Sequence, residues 1–254
     1  MGRIAIFSDV HGNLPALQTV IEDIAKRGID QIYCLGDLVD FAPWSNEVIA
    51  LIKELHIPCL MGNHDERVAF DHAVVPLKQH TAEETLARIT AIDHTKGSVS
   101  SNHKRFLANL PAQLRITHKV KGKNLNILLV HGSTRSNSEY IYENHDPEDL
   151  LYMMQQQQSD VLIMGHTHRS YLRRLPFVNG HLPPMALNCG SVGRSKEGQP
   201  LATYLVLNIE EDGIQPELIK LTYPVEKVIQ GILESDIPDF YTGLLKADTK
   251  LVNG

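Results

Sequence analysis

The strongest constraint on the fold lies in the first quarter of the chain, where short apolar runs alternate with amphipathic segments. Apolar runs predict strands at 3–7, 31–35 and 57–61, and helical spacing of apolar residues predicts helices at 14–28 and 46–55. This β-α-β-α-β order is typical of a parallel sheet with helices packed on it. We therefore expect an α/β fold.

The remainder of the chain changes character after this unit. Residues 66–113 predict a helical insertion, which includes a capping-box pattern formed by Thr81 and Glu84. Further strands are predicted at 125–130, 160–164, 185–189, 201–209 and 215–221. Few helices separate them, which indicates a second, mixed or antiparallel sheet. A helical tail is predicted over 224–254. Because no repeat or linker divides the sequence, we expect residues 1–254 to form one domain.

Composition limits the partners of the chain. The formal net charge is -6, and no block of lysine and arginine compensates for it, which argues against binding of a nucleic acid backbone. Cys34, Cys59 and Cys189 form no C-x-x-C motif and are expected to be buried, reduced thiols. No apolar run approaches the length of a membrane span, so we expect a cytoplasmic protein without a membrane partner. The sequence leaves open whether the chain forms a homo-oligomer.

Polar side chains follow five of the predicted strands at their carboxyl ends. The residues concerned are Asp9, His11, Asp37, Asn63, His64, His131, His166 and His168. Ligands of open α/β sheets bind at this edge, so we expect the side chains to converge. Each pair alone is a weak signal, because a single histidine is more often a core residue than a ligand. Glycine before Asp37, Asn63 and His166 strengthens the prediction, because it permits positive φ and close backbone approach.

The residue types indicate a metal site. Imidazole and carboxylate groups ligate Zn²⁺, Mn²⁺, Fe, Ni²⁺ and Co²⁺, and the lack of nearby thiolates disfavours a structural zinc site. Seven potential ligands exceed what one ion with open positions needs, so the set predicts two ions that share a carboxylate. Two ions about 3.5–4 Å apart can polarise a phosphoryl group and activate water.

These motifs resemble the calcineurin-like metallophosphoesterase family, and in particular its small prokaryotic phosphodiesterase-type members. The family pattern D-x-H, G-D, G-N-H-D/E, H and G-H-x-H is present in order between positions 9 and 168. The resemblance implies a four-layer α/β/β/α sandwich of two mixed sheets flanked by helices. It also implies two ligand sets that share Asp37: Asp9, His11, Asp37 and His168 for one metal, and Asp37, Asn63, His131 and His166 for the other.

The resemblance also implies roles for residues that do not bind metal. His64 is expected to act as general acid or to stabilise the leaving oxygen, oriented by Asp40 or by Asp65. Related protein phosphatases carry an aspartate at the position of Asp40. Arg135 is a candidate clamp for a phosphate oxygen, with a solvated surface arginine as the alternative. Asn13 is a candidate substrate ligand that could equally cap the first helix.

Two further features leave alternatives open. Phe41 and Trp44, next to the Asp37 loop, could form a substrate wall or pack in the core. Cys189 replaces the proline of the N-P-G-S stretch in relatives, and we expect a turn that packs under the site rather than a nucleophile.

The expected function is di-metal hydrolysis of a small phosphorylated substrate, with a phosphodiester or nucleotide favoured. In this expectation a metal-bridging hydroxide attacks phosphorus in line. A phosphomonoesterase, a phosphoprotein phosphatase and a non-catalytic metal-binding scaffold are the alternatives. The complete ligand set and His64 speak against the scaffold. The helical insertion is expected near the mouth of the site, where it would set substrate choice or pair subunits.

Overall fold

Two β-sheets form the centre of the protein. The computed structural model describes residues 2–76, 80–176, 182–211 and 213–246. The first sheet contains β1 (Gly2–Phe7), β2 (Gln31–Cys34), β8 (Ala202–Ile209) and β9 (Ile214–Leu221), in the order β2-β1-β8-β9. The second contains β3 (Gln113–Val120), β4 (Lys123–Val130), β5 (Val161–Met164), β6 (Tyr171–Arg174) and β7 (Met185–Asn188), in the order β3-β4-β5-β7-β6.

Helices connect and cover the strands. The described helices are α1 (Leu14–Lys26), α2 (Ser45–Glu54), α3 (Asn63–Ala69), α4 (Ala82–Ser98), α5 (Ser101–Ala108), α6 (Pro147–Gln156), α7 (Val225–Leu233) and α8 (Phe240–Gly243). The capping box at α4 forms as its sequence predicts. Thr81 Oγ1 accepts from the Glu84 amide at 3.1 Å, and Glu84 Oε2 accepts from the Thr81 amide at 2.7 Å. None of the described helices combines the length and apolar character that a membrane crossing requires.

Both sheets are mixed. In the first sheet β1 pairs in parallel with β2 and antiparallel with β8, which in turn pairs antiparallel with β9. In the second sheet β4, β5 and β7 run in parallel, and the antiparallel strands β3 and β6 lie at its edges. The prediction that the later strands build only a second sheet was therefore wrong for β8 and β9. Nearly every residue of β8 is buried, as expected for a strand in the interior of a sheet that is covered on both faces.

The alternation of side chains along each strand produces four layers. On β1, Ile4 and Ile6 face the second sheet, whereas Ala5 and Phe7 pack with the apolar cluster under α1, α2 and α7. Successive residues of β5 divide in the same way between the second sheet's two faces, one of which packs on α6. Three apolar layers thus separate helices, sheet, sheet and helix, which confirms the expected sandwich.

Four elements differ from the sequence prediction. The run 57–61 forms only an isolated parallel bridge between Cys34 and Cys59 instead of a full strand. Asn63 and His64 begin α3, whereas the sequence places them in a loop. The edge strands β3 and β6 were not predicted. They expose polar residues along much of their length, so their apolar periodicity is weak.

The inter-sheet layer is expected to contribute to stability through fully buried aliphatic side chains. Ile163 is 0% exposed in this layer, so Ile163→Ala removes buried methyl groups and leaves a cavity. We expect a loss of about 2–5 kcal/mol in the free energy of unfolding, measured by denaturant titration. Leu86→Ala on α4 is the matched control, because Leu86 is 65% exposed. An equal loss in both variants would contradict the assigned layer.

Candidate metal centre

The candidate metal ligands meet where the strands of both sheets end. Asp9 and His11 follow β1, and Asp37 follows β2. From the second sheet, His131 follows β4, and the pair His166 and His168 follows β5; Asn63 joins them from the first turn of α3. All seven side chains are buried. The structure thus brings together residues that are far apart in the sequence.

The ligand atoms form two groups. Asp9, His11 and His168 make up one group and Asp37, His131 and His166 the other, with the potential ligand atoms of each within 4.8 Å of one another. Oδ2 of Asp37 lies 3.4 Å from Nε2 of His131 and 3.7 Å from Nε2 of His11. This places the Asp37 carboxylate between the two groups. Asn63 Oδ1 lies 3.3 Å from His131 Nε2 and so belongs to the second group.

Backbone carbonyls set the tautomers of three imidazoles. In each, Nδ1 donates to a carbonyl oxygen: His11 to Val39 (3.0 Å), His131 to Leu35 (2.9 Å) and His168 to Arg194 (2.6 Å). A carbonyl can only accept, so Nδ1 carries the proton and Nε2 of the neutral ring presents a lone pair. Nε2 of His11 and Nε2 of His168 are only 3.1 Å apart. Two lone pairs that face each other at this distance repel unless a cation lies beside them.

Unpaired buried atoms support the same interpretation. Within the described part of the chain, Asp9 Oδ1 and His166 Nε2 are buried without a hydrogen-bond partner. Buried polar atoms are normally paired, so an orphaned carboxylate oxygen among imidazole nitrogens needs an explanation. The donor set of nitrogen and oxygen atoms suits a divalent transition metal. The residues present therefore fit the metal ions that the sequence implies.

Burial and mutual charge put His11, His166 and Asp37 in the protonation states that metal ligands require, whereas His131 carries a proton that a bound metal ion would replace. Burial lowers the pKa of His11 to about 3 and that of His166 to about 4, so both rings are neutral at neutral pH. Burial opposes ionisation of Asp37, but the charges of His131 and His64 outweigh it and hold the Asp37 pKa well below its usual range. Asp37 in turn overcomes the burial of His131 and raises the His131 pKa to about 10. A positive charge beside Asp37 is thus strongly favoured.

Asp65 fixes the loop that carries Asp37. Its carboxylate accepts from the backbone amides of Asp37 (2.7 Å), Leu38 (2.9 Å) and Gly62 (3.0 Å). Burial, followed by the charge of Asp37, raises the pKa of Asp65 to about 7. Because its oxygens are occupied by these amides, Asp65 does not orient His64, which was one of the two alternatives from the sequence.

Asp40, the other alternative, contacts His64. Nδ1 of His64 forms a hydrogen bond with Oδ2 of Asp40, and Arg67 Nη1 lies 3.1 Å from the same nitrogen. The amide of His64 donates to Asp37 Oδ1 at 2.8 Å, which ties the start of α3 to the metal ligands. Burial lowers the pKa of His64 well below its ordinary value, and burial raises the pKa of Asp40 to about 8.

The loops of the site adopt left-handed backbone conformations. Positive φ values between 50° and 74° occur at Asp9, His11, Asp37, Asp40, Phe41, His166 and His168. Such conformations are uncommon outside glycine, although aspartate and histidine tolerate them better than most residues. Glycine serves here mainly for close approach. A Cβ on Gly62 would lie 2.1 Å from Asp37 Oδ1, and one on Gly165 would lie 2.3 Å from Ser8 Oγ.

The two proposed substrate ligands do not reach the site. Arg135 binds two carboxylates at the surface, with Nη1 2.8 Å from Asp149 Oδ1 and Nη2 2.5 Å from Glu139 Oε1. Its guanidinium is therefore occupied, as in the surface alternative. Asn13 caps α1 by accepting from the Ala16 amide at 3.1 Å. Both polar ends of its amide are used, because Nδ2 donates to the Gly193 carbonyl at 3.0 Å.

Phe41 forms part of the cavity wall, whereas Trp44 and Cys189 pack against other parts of the protein. Phe41 lines the cavity above the metal ligands, whereas Trp44 packs against Gly231 of α7. Cys189 is fully buried, in a turn where Asn188 Nδ2 donates to the Gly165 carbonyl at 2.7 Å. This turn supports the His166 loop, in line with the expected packing role.

A cavity of about 350 Å³ opens over the metal ligands. Its walls carry positive and aromatic side chains that the sequence analysis did not select: Arg67, Arg88, Arg194, Lys196, Tyr140, Phe240 and Tyr241. Residues of the predicted insertion lie along this cavity, which agrees with its expected place near the mouth. Arg194 had a weak signal, since it ends the stretch "NCGSVGR" that resembles the family. Arg88 had none.

Comparison with known proteins supports the arrangement. Residues 3–212 match the model of the calcineurin-like phosphoesterase superfamily domain. The chain is 28% identical to Uncharacterized protein MJ0912 of Methanocaldococcus jannaschii, over 93% of this chain and 94% of that one. It is 26% identical to Phosphodiesterase YfcE of Escherichia coli, over 82% and 88%.

A solved structure extends the likeness to the whole fold. The metallophosphoesterase from Sphaerobacter thermophilus superposes with a TM-score of 0.74 at 26% identity, covering 98% of this chain and 99% of that one. Sequence, fold and the two Asp/His groups agree, and the chain belongs to the calcineurin-like phosphoesterase superfamily as a metal-dependent phosphoesterase.

Proposed function

We propose that the protein hydrolyses a phosphodiester or a nucleotide-type phosphate ester with two bound metal ions. The observation that carries this proposal is the position of Asp37 between two Asp/His groups at the floor of the cavity. The similarity to a protein named as a phosphodiesterase supports a diester. A cavity of about 350 Å³ suits a small substrate rather than a polymer.

The ligand assignment follows the two groups. One ion would be held by Asp9, His11, Asp37 and His168, and the other by Asp37, Asn63, His131 and His166. When bound, the ions polarise the phosphoryl oxygens and lower the pKa of a coordinated water. Mn²⁺ is our first choice, with Fe, Zn²⁺, Ni²⁺ and Co²⁺ compatible with the same donors. Asn63 contributes an oxygen without adding negative charge, which favours binding of an anionic substrate.

His64 acts on the leaving group. Asp40 engages Nδ1 of this ring, so Nε2 is the nitrogen left for the substrate. Since His64 lines the cavity beside the ligands, it can donate a proton or a hydrogen bond to the departing oxygen. Asp40, whose pKa burial raises to about 8, is protonated at neutral pH and donates to Nδ1, so the neutral His64 ring keeps its proton on Nε2. Asp40 thus positions the ring.

The first prediction concerns turnover itself. Chelator-stripped protein should not hydrolyse bis-p-nitrophenyl phosphate, and added Mn²⁺ should restore release of nitrophenol, followed by absorbance. p-Nitrophenyl phosphate in the same assay separates a phosphodiesterase from a phosphomonoesterase. Absence of hydrolysis of both esters by manganese-loaded protein would contradict the proposal and favour the non-catalytic scaffold.

Asp37→Asn should abolish hydrolysis and weaken binding of both ions. The substitution removes the negative charge that both groups share and leaves a weaker ligand between them. Metal content per chain, measured by elemental analysis after gel filtration, should fall for both ions. Loss of one ion with the other retained would show that Asp37 does not bridge.

His64→Ala should lower the turnover number by about 10²–10⁴-fold, the usual contribution of a positioned acid or base. Metal content should stay near that of the parent protein, because His64 belongs to neither ligand group. His72→Ala is the matched control, since His72 is exposed and lies outside the cavity lining. Parent-like turnover of bis-p-nitrophenyl phosphate in His64→Ala would remove His64 from the mechanism.

A further inference from the structure

The cavity wall holds three arginines that lack acidic partners. Within the described part of the chain, no carboxylate lies within ion-pair distance of Arg67, Arg88 or Arg194, whereas Arg27 and Arg135 are paired with carboxylates. Glu84 also lines the cavity, but its Oε2 is engaged by the Thr81 amide at the start of α4. The three guanidiniums thus have no direct carboxylate partner, and only the longer-range charge of Asp40 acts on Arg67 and Arg88.

Arg194 is held in place by aromatic rings rather than by charge. Its Cζ atom lies 4.4 Å from the centroid of the Phe41 ring and 5.7 Å from that of Tyr241. The two rings are themselves in contact, with centroids 4.9 Å apart. Stacking leaves the edge of a guanidinium, which carries its N–H donors, free to bind an anion. The Phe41 ring also contacts His64, at 4.9 Å between centroids, so Arg194 lies on the His64 side of the site.

Arg88 and Arg67 face the same cavity from the helical segment. Arg88 is 9% exposed, and its one described hydrogen bond goes from Nη1 to the Val75 carbonyl at 2.9 Å. Burial and then the charge of Arg67 lower the pKa of Arg88, and the charge of Arg88 contributes to the lowered pKa of Arg194. Burial of like charges close together is unfavourable unless an anion joins them.

The three arginines indicate how much negative charge the substrate carries. A phosphodiester carries one negative charge, which the metal ions already attract, and it offers nothing to three additional guanidiniums. Arginine pairs most effectively with phosphoryl oxygens, because its planar fork donates two parallel hydrogen bonds. The arginine wall lies beside His64, where the leaving group departs in the proposed mechanism.

We propose that Arg67, Arg88 and Arg194 form a subsite for a second phosphoryl group, carried on the leaving-group side of the substrate. The substrate class is then a small organic compound with two or more phosphoryl groups, rather than a simple diester. This inference rests on the proposed function for the position of the scissile phosphate. Tyr241 and Phe41 act in this subsite as positioning residues for Arg194.

The test compares two ligands that differ by one phosphoryl group. Adenosine 5′-monophosphate and α,β-methyleneadenosine 5′-diphosphate are used as inhibitors of bis-p-nitrophenyl phosphate hydrolysis by the protein in excess Mn²⁺. The diphosphonate should bind at least about tenfold more tightly, the equivalent of about 1.4 kcal/mol. Arg88→Gln and Arg194→Gln should each lose most of this preference, whereas Arg105→Gln, an exposed arginine on α5, should retain it.

A second measurement tests ligand binding at the subsite independently of catalysis. Calorimetric titration of the same two ligands into chelator-stripped protein requires no turnover and should show the same order of affinity. Arg88→Lys and Arg194→Lys retain the charge and should keep part of the preference, and melting temperatures verify that all variants fold. Equal affinity for both ligands, binding of neither, or an undiminished preference in both glutamine variants would overturn the subsite. Failure of the manganese-loaded protein to hydrolyse both nitrophenyl esters would overturn the proposed function and leave the calorimetric result standing.

Discussion

The buried carboxylate of Asp65 is the contact on which the site depends. It accepts the amides of Asp37 and Leu38 from the loop after β2 and the amide of Gly62 at the start of α3. Three hydrogen bonds to a charged acceptor in a dry environment hold two separate segments in one geometry. The position of Asp37, and through it the relation of both ligand groups, follows from this contact. The His64 amide, which donates to Asp37 Oδ1, is aligned by the same arrangement.

Holding the site rigid requires backbone conformations of high energy, and the sequence partly indicates where they occur. Left-handed backbone conformations at non-glycine residues cost on the order of 1–3 kcal/mol each, and they persist where surrounding contacts determine them fully. In the candidate metal centre, several of these left-handed conformations occur at the candidate ligands, including Asp9 and His168. The glycines play both parts that the sequence predicts. Gly36 has a positive φ of 99°, but Gly62 and Gly165 serve because a Cβ would collide with neighbouring site atoms.

The contrast between what the sequence predicts and what it misses has a physical basis. Buried central strands such as β1 and β8 carry continuous apolar runs, so periodicity finds them, while β6 has only four residues, exposes Leu172 and Arg174, and gives no such signal. The candidate metal ligands were predictable because all but Asn63 follow a strand, and strand ends converge by geometry. The pairing of Asp40 rather than Asp65 with His64 was not predictable, since both aspartates are close in sequence to the site and only the fold separates their contacts.

The arginine wall was invisible in sequence for a related reason. Arg67, Arg88 and Arg194 come from α3, α4 and the loop after β7, and no spacing links them. Tyr241, which helps to hold Arg194, lies in α8, beyond the residues 3–212 that match the superfamily model. The candidate metal ligands therefore all lie within the matched region, whereas part of the wall that would select a substrate comes from outside it. Changes in the tail can thus alter substrate choice while the ligand geometry stays fixed, because no candidate ligand lies on α8.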